Sequence, residues 1–415
     1  MKSALMIILT CISGQALASA GHLSAAPSQG SVNHHGSANS DQSTATIWQL
    51  DTDLVYRQKS GPNMLGFLPT NQHQESAGLR LDHADLSVQR PLPETLSQAI
   101  NSDAIFGKLA LAYHSGSSEL SEAWVRNDWH THKLQLTAGK YLPRIGFLNH
   151  QHQHAQTFIQ SPLVNKVYWG DQLADAGINL QLQQQFAGWQ INHSLNLLGG
   201  DHLNSKKNTL AGLYQLELNQ RFAGLEVTAL ANGYYADVND RGMFLFDLSS
   251  NTHVHTNSGF TEFFDGKIQH WGAGIQLSYP MNHLGQLSYQ GEYSQRQEDG
   301  RLYSRSNSAS SDIAELTLNS QGQYHQLWWS NSSQQLQLGM RYDYLYSDTE
   351  VSNTSDNKLD DSRLNNAGNK PQRLTWMATM QLSRFQKLQL LYSDGQGWQS
   401  YPARLEIHLQ QSFRF

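Results

Sequence analysis

Apolar and polar residues alternate along the C-terminal part of the chain. In residues 404–415, one parity is polar or charged throughout, and the other carries the apolar residues Leu405, Ile407, Leu409, Phe413 and Phe415. The same period of two recurs in residues 336–344 and 373–383. Because successive side chains of a β-strand point to opposite faces, the pattern predicts strands with one apolar and one polar face.

Soluble β-sandwiches and membrane β-barrels both alternate in this way. Here charged residues lie in the middle of the polar parity, as at Arg341 and Asp343, and aromatic residues gather near strand ends. A wet interior and an aromatic girdle explain both features in a membrane barrel. The last strand, which ends in Phe415, resembles the terminal strand that the outer-membrane assembly machinery recognises. We therefore predict an all-β fold, a transmembrane antiparallel β-barrel, with outer-membrane lipid and that machinery as partners.

Short turns and long polar segments separate the predicted strands. "QQFAGWQ" (184–190) and "QRFAGLE" (220–226) are near-copies and predict tight turns, as do residues 279–286 and 383–389. The long polar segments are 198–208, 237–267, 297–320 and 347–371. This asymmetry predicts periplasmic turns and external loops. Counting back from a periplasmic C-terminus gives about sixteen strands, the first starting near Ile47.

The N-terminal residues have the pattern of a secretory signal peptide. Lys2 precedes an apolar run, Leu5 to Ile12, that is too short to span a bilayer as a helix, and small residues follow at Ala16 and Ala18. We predict a signal peptide over 1–18, a disordered His-containing periplasmic arm over 19–45 and the barrel over 46–415. The single cysteine, Cys11, lies inside the apolar run, which disfavours a lipoprotein and leaves the mature chain without thiol chemistry.

Composition and motifs exclude several other functions. A net charge of −6 argues against nucleic acid as a partner. The chain contains neither Gly-x-Ser-x-Gly nor His-Glu-x-x-His. His114 and Ser115 are adjacent in a predicted strand, so they point to opposite faces and do not form a catalytic dyad. We therefore predict that the chain is not an enzyme.

A row of histidines lies between the predicted fifth strand (132–142) and sixth strand (173–183). Residues 143–172 would be the third external loop, which in general porins folds into the barrel. Imidazole suits zinc, copper or nickel, so closely spaced histidines are candidate metal ligands. The alternative is that histidine serves here as a polar loop residue, like Gln or Asn. The candidate metal ligands are His150, His152, His154, His253 and His255.

One segment, residues 138–180, resembles a family of porin-like proteobacterial outer-membrane proteins that are commonly labelled as zinc-regulated. The matching positions are Gly139, Lys140, Gly146, Asn149, His152, His154, Phe158, Pro162, Leu163, Leu173, Asp175 and Gly177. His-rich N-terminal arms are frequent in that family, and His22, His34 and His35 form a thin version of one.

The chain departs from that family pattern just before Phe158. The family often has Trp-Asp there, whereas this chain has Gln156 and Thr157. The change removes a carboxylate that would bind the metal or hydrogen-bond to a histidine ligand, and His150 is a candidate replacement. The family label sometimes includes TonB-dependent receptors. Those transporters have 22-stranded plugged barrels, so we expect no energy-coupled uptake by this chain alone.

These observations together predict a passive outer-membrane channel of a Gram-negative bacterium. It would admit small solutes or ions and favour zinc or another divalent metal. No cofactor is required, and weakly bound zinc is a further expectation. The alternative is a surface metal-binding or adhesion barrel without an open pore. A homo-oligomer is a further expectation. The residues predicted to line the pore are Arg341, Asp343, Arg373, Arg404, Glu406 and Arg414.

Overall fold

The computed structural model describes residues 45–60, 76–114, 117–200, 209–243, 262–306, 309–352, 370–396 and 403–415. Over these residues sixteen antiparallel strands form a closed barrel, in which each strand pairs with its sequence neighbours and β1 pairs with β16. The strands are β1 Ile47–Arg57, β2 Gly78–Pro91, β3 Ala104–His114, β4 Ser117–Trp129, β5 Leu134–Tyr141, β6 Asp175–Phe186, β7 Trp189–Leu198, β8 Ala211–Phe222, β9 Leu225–Met243, β10 Glu262–Pro280, β11 Gln286–Ser306, β12 Ala309–Ser330, β13 Leu336–Ser352, β14 Gln372–Ser383, β15 Gln386–Gln396 and β16 Arg404–Arg414.

The first and last strands close the barrel. Gln49 pairs with Arg414 at one end of this seam and Arg57 pairs with Glu406 at the other. Closure leaves no unpaired strand edge, which is the condition for a sheet to span a bilayer. The predicted fold class, the strand number and the start near Ile47 are therefore confirmed. The predicted signal peptide and arm lie outside the described residues.

The four predicted tight turns all connect an even-numbered strand to the next strand. In the two near-copies the turn residues have positive φ, 49° and 82° at Ala187 and Gly188, and 47° and 89° at Ala223 and Gly224. Positive φ at both central positions defines a type I′ turn, whose twist suits a two-residue β-hairpin. The other two turns join β10 to β11 and β14 to β15. All four lie at the end of the barrel that carries the start of β1 and the end of β16.

The predicted long loops are partly wrong. Most of 297–320 is strand, because β11 runs to Ser306 and β12 starts at Ala309. Likewise β9 extends to Met243, β10 starts at Glu262 and β13 extends to Ser352, which shortens the connections predicted at 237–267 and 347–371. Polar composition does not end a strand while the backbone ladder continues. Buried ion pairs also support these extensions, as between Arg241 and Glu298.

The two faces of the wall have opposite chemistry. Along β16 the side chains of Arg404, Glu406 and His408 are buried inside the barrel, whereas Leu405 points outward. Outward-facing apolar residues recur around the wall, including Leu109, Leu111, Leu195, Leu197, Trp376, Leu390 and Tyr392. An apolar outer belt over a polar interior is the arrangement of a transmembrane barrel.

The segment between β5 and β6, residues 142–174, folds into the barrel interior. We call this segment L3. Its short helix, which we call α2 (Leu163–Trp169) because α1 (Glu94–Ala99) precedes β3, packs on inward-facing residues of β9, β10, β12 and β13. The buried core of the molecule therefore lies between L3 and the wall. No helix in the described part of the chain is long and apolar enough to cross a membrane.

Candidate metal centre at the third loop

L3 is closed at its base by one buried side chain. The Asn149 amide nitrogen donates to the carbonyl oxygens of Pro143 at 2.8 Å and Leu173 at 2.9 Å. Its oxygen accepts the backbone N–H of Leu173 at 2.6 Å. The amide of Asn149 therefore joins the two ends of the loop through three hydrogen bonds.

Arginines of β13 and β14 hold the middle of L3. Arg341 Nη1 donates to the Gln160 carbonyl and Arg373 Nη2 donates to the Ser161 carbonyl, both at 2.7 Å. Asp343 lies between the two guanidinium groups and accepts the Leu163 N–H at 3.2 Å. Because these buried charges are paired and hydrogen-bonded, the arrangement avoids the large cost of burying an isolated charge.

A second group of charges on β16 and β1 contacts L3 beside the first. Glu406 Oε1 accepts the amide of Gln160 at 2.9 Å and lies 2.6 Å from Arg404 Nη2. Its other oxygen accepts from Arg57 Nε at 3.2 Å. Glu406 therefore links β16 to β1 through Arg57, and it also binds the loop through Gln160.

The six predicted pore-lining residues fall into two sets. Arg341, Asp343, Arg373, Arg404 and Glu406 face the interior and are at most 1% exposed, because L3 and its partners cover them. Arg414 is exposed at the end of β16. In this structure the first set anchors the loop. A role in lining a conduction path stays a prediction for all six.

Two of the predicted L3 histidines lie side by side at the wall. His152 precedes a 3-10 turn, Gln153–Ala155, that contains His154, and their rings stack with centroids 5.5 Å apart and planes 15° apart. His152 Nε2 lies 2.7 Å from Glu122 Oε1 on β4, and its Nδ1 lies 3.4 Å from Asp85 Oδ2 on β2. His150 is half-buried nearby. His253 and His255 lie outside the described residues.

The wall contributes a histidine and a carboxylate from β2. His83 and Asp85 are two residues apart, so they share the inward face, and His83 Nε2 forms a hydrogen bond with Asp85 Oδ2. A β-bulge begins at this point, since Asp53 pairs with His83 but Leu54 pairs with Leu81. The bulge inserts an extra residue, Asp82, and a bulge re-aims neighbouring side chains.

His83, Asp85 and His154 converge at one point. Each offers one ligand atom, and these atoms lie within 4.8 Å of one another. Among the described residues this is the one group of three or more histidine, cysteine or acidic side chains that meets that spacing. Histidine nitrogen and carboxylate oxygen are zinc ligands. The arrangement can therefore hold a divalent metal ion.

His154 is held from its far side. Its Nε2 lies 3.3 Å from Asp51 Oδ2 on β1, while its buried Nδ1 lies 4.0 Å from Asp85 Oδ2 and has no hydrogen-bond partner. Burial, together with the neighbouring rings of His152 and His83, lowers the pKa of His154 well below its usual range. The neutral imidazole is the form that binds a metal.

Sequence reasoning missed His83, Asp85, Asp51 and Glu122. The available signal was alternation, since "DHAD" at 82–85 places a histidine and an acid on one face of a strand. Nothing in the sequence indicates that L3 folds onto that face. In the similar family the carboxylate lies in the loop, whereas here the carboxylates beside the histidines belong to the wall. Gln156, at the loop position, donates to the backbone carbonyls of Leu148 and Gln151.

Comparison with known proteins supports the fold. OprB of Pseudomonas putida is 10% identical with a TM-score of 0.53, over 89% of this chain and 94% of that chain. A loop-deleted OmpT, an outer-membrane protein of Vibrio cholerae, is 10% identical with a TM-score of 0.50, over 89% of this chain and 98% of that chain. These likenesses identify a porin-like barrel fold. The barrel resembles Gram-negative outer-membrane proteins, as the predicted location requires.

Sequence comparison adds one relative and no family. No protein-family description matches the chain. An uncharacterized protein of Aquifex aeolicus (strain VF5) is 24% identical over 265 residues, which is 61% of this chain and 52% of the relative. The chain thus spans about half the length of that relative.

Proposed function

We propose that the protein is a passive outer-membrane channel for small solutes or ions, and that its constriction favours zinc or another divalent cation. The observation that carries the proposal is the position of L3 inside the barrel, with His152 and His154 against carboxylates of the wall. A porin-like barrel fold supplies the transmembrane passage, and a loop folded into it sets what passes.

Charge differs between the two sides of L3. Arginines of β11, β13 and β14 hold one side, with Arg296 Nη1 donating to the Tyr168 carbonyl at 2.7 Å. Further along the wall, on β1 and β2, Asp51 and Asp85 face imidazole rings, with Lys108 and Lys387 nearby. The proposal is that an entering cation binds at these carboxylates and rings. Conduction also requires that the ion leaves, so binding during passage has to be weak.

The alternative function is metal binding or adhesion at the cell surface, without an open pore. One observation favours it. Apolar side chains of α2, including Leu163, Val164 and Trp169, are buried against the wall inside the barrel. A loop that packs this tightly across the interior would block conduction unless it moves.

The test is single-channel conductance of the refolded full chain in planar bilayers, with zinc added in steps. The test variant is the double substitution His152→Ala and His154→Ala, and the control is His132→Ala in the exposed β4–β5 turn. The proposal expects conductance that zinc reduces in the wild type and control but not in the double variant. Conductance indifferent to zinc removes the metal preference. Absence of conductance in all three favours the alternative.

A further inference from the structure

We infer that His83, Asp85 and His154 form one binding site for a divalent metal ion of the zinc type, with His152 stacked on His154 beside it, and that the ion fastens L3 to β2. Any effect of the ion on conduction rests on the proposed channel function. Binding of the ion itself requires only the barrel and the loop packed inside it.

The distances between ligand atoms suit such a site. Zinc–nitrogen and zinc–oxygen bonds of about 2.0–2.2 Å place the donors of a tetrahedral site about 3.4 Å apart. Asp85 Oδ2 lies 3.4 Å from His152 Nδ1 and 4.0 Å from His154 Nδ1. His83 Nε2 is in hydrogen-bond contact with that oxygen. The donors of His83, Asp85 and His154 all lie within 4.8 Å of one another, so one ion can contact all three.

The two loop histidines have the same arrangement. In each ring Nδ1 faces Asp85, while Nε2 lies beside a further wall carboxylate, Glu122 for His152 and Asp51 for His154. A ligating histidine usually gives its second N–H to a carboxylate, which fixes the tautomer and ring orientation. Asp51 and Glu122 therefore act as outer partners, while Nδ1 of each ring lies within 4.0 Å of the same Asp85 oxygen.

The charges around the site call for a cation. Asp51 and Asp85 are 4% and 3% exposed, and a buried carboxylate requires compensation. Two ammonium groups lie near the site: Lys108 pairs with Glu122, and Lys387 donates to the His154 carbonyl at 3.1 Å and interacts electrostatically with Asp51 and Asp53. A divalent ion supplies two positive charges beside these carboxylates, replaces the hydrogen bond between His83 and Asp85 with the release of its proton to solvent, and gives the buried Nδ1 of His154 a ligand bond.

The site links elements that the arginines do not reach. Arg341 and Arg373 hold the middle of L3 to β13 and β14. The metal ion joins the first part of L3 to β2, four strands along the wall from β14. An occupied site therefore gives L3 a second attachment and lowers its freedom to move.

The test measures zinc binding rather than conductance. The chain carries histidines at 22, 34 and 35, which bind metals loosely as His-rich tracts do, so all proteins in the experiment carry these three as Ala. In this background the refolded full chain is titrated with Zn²⁺ by calorimetry, and the absorption of bound Co²⁺ reports coordination. The test variants are His83→Ala, Asp85→Asn and His154→Ala. The matched controls are His132→Ala and His193→Ala, on the exposed turn and the outer face of β7.

The inference expects one zinc ion per chain, with an affinity that falls at least 100-fold in each test variant and stays unchanged in both controls. A Co²⁺ spectrum of four-coordinate type should disappear in the same three variants. Equal affinity in test variants and controls, or no binding in the background protein, overturns the inference. Zinc binding at these residues without conductance would support the inferred site and contradict the proposed channel. Conductance without zinc binding at these residues would support the channel and contradict the inferred site.

Discussion

Asp51 Oδ2 lies 3.3 Å from His154 Nε2, so the first strand of the barrel contacts the third loop. This contact predicts an effect of a residue that does not touch the metal. Asp51→Asn keeps the shape of the side chain but weakens the hold on the ring. Loss of an outer partner typically costs about 10–100-fold in metal affinity, and we expect that loss for zinc. Calorimetry of the variant measures it. An unchanged affinity would mean that Asp51 serves packing only.

Zinc should stabilise the folded barrel. A ligand that binds only the native state at 100 times its dissociation constant adds about 2.7 kcal/mol to the free energy of unfolding. We expect a stabilisation of about this size in the wild type, its reversal by a chelator and its absence in His154→Ala. Urea unfolding in detergent micelles, with and without zinc, measures the difference. Equal stabilisation of His154→Ala would place the zinc elsewhere.

The carboxylate between Arg341 and Arg373 should be important for stability. Asp343→Asn removes the negative charge between two buried guanidinium groups and leaves them uncompensated. Breaking a buried pair from one side costs about 3–5 kcal/mol. The control is Asp348→Asn, on the same strand but exposed. Urea unfolding compares the two, and similar losses in both would show that the trio contributes no special stability.

The entry of L3 into the barrel depends on Gly146. Its φ is +65°, and an added Cβ would overlap the carboxylate of Glu292, which accepts the Phe147 N–H at 3.1 Å. We expect Gly146→Ala to destabilise the fold by about 1–3 kcal/mol, through backbone strain and displacement of that carboxylate. Gly212→Ala is the control, because nothing lies within 4 Å of its added Cβ. Equal unfolding curves for the two variants would contradict this reading of the loop entry.

The barrel could be predicted because its strands have a local signature. Leu405 and Ile407 point outward while Glu406 points inward, and that alternation is visible in the sequence. The turn at Ala187 and Gly188 could be predicted from its near-copy. The error at 297–320 has a physical cause, since the backbone ladder continues through polar residues once two strands are paired. Side-chain polarity alone therefore overestimates the length of these loops.

Only the loop histidines of the candidate site could be predicted from the sequence. His152 and His154 stand out as a row, but His83 and Asp85 are distant in sequence and ordinary in type. Their meeting depends on the path of L3 across the interior and on the bulge at Asp82. Both are tertiary features that no local pattern records.

The position of the seam has a consequence for assembly. Strands β1 and β16 pair last in any chain-order assembly of the wall, and each carries a carboxylate that grips L3, Asp51 on one and Glu406 on the other. In a closed barrel without the inserted loop, Asp51 would lose its contact with His154, and Glu406 would lose its contact with Gln160. The inserted loop therefore adds contacts to both strands of the seam and stabilises the barrel where its first and last strands meet.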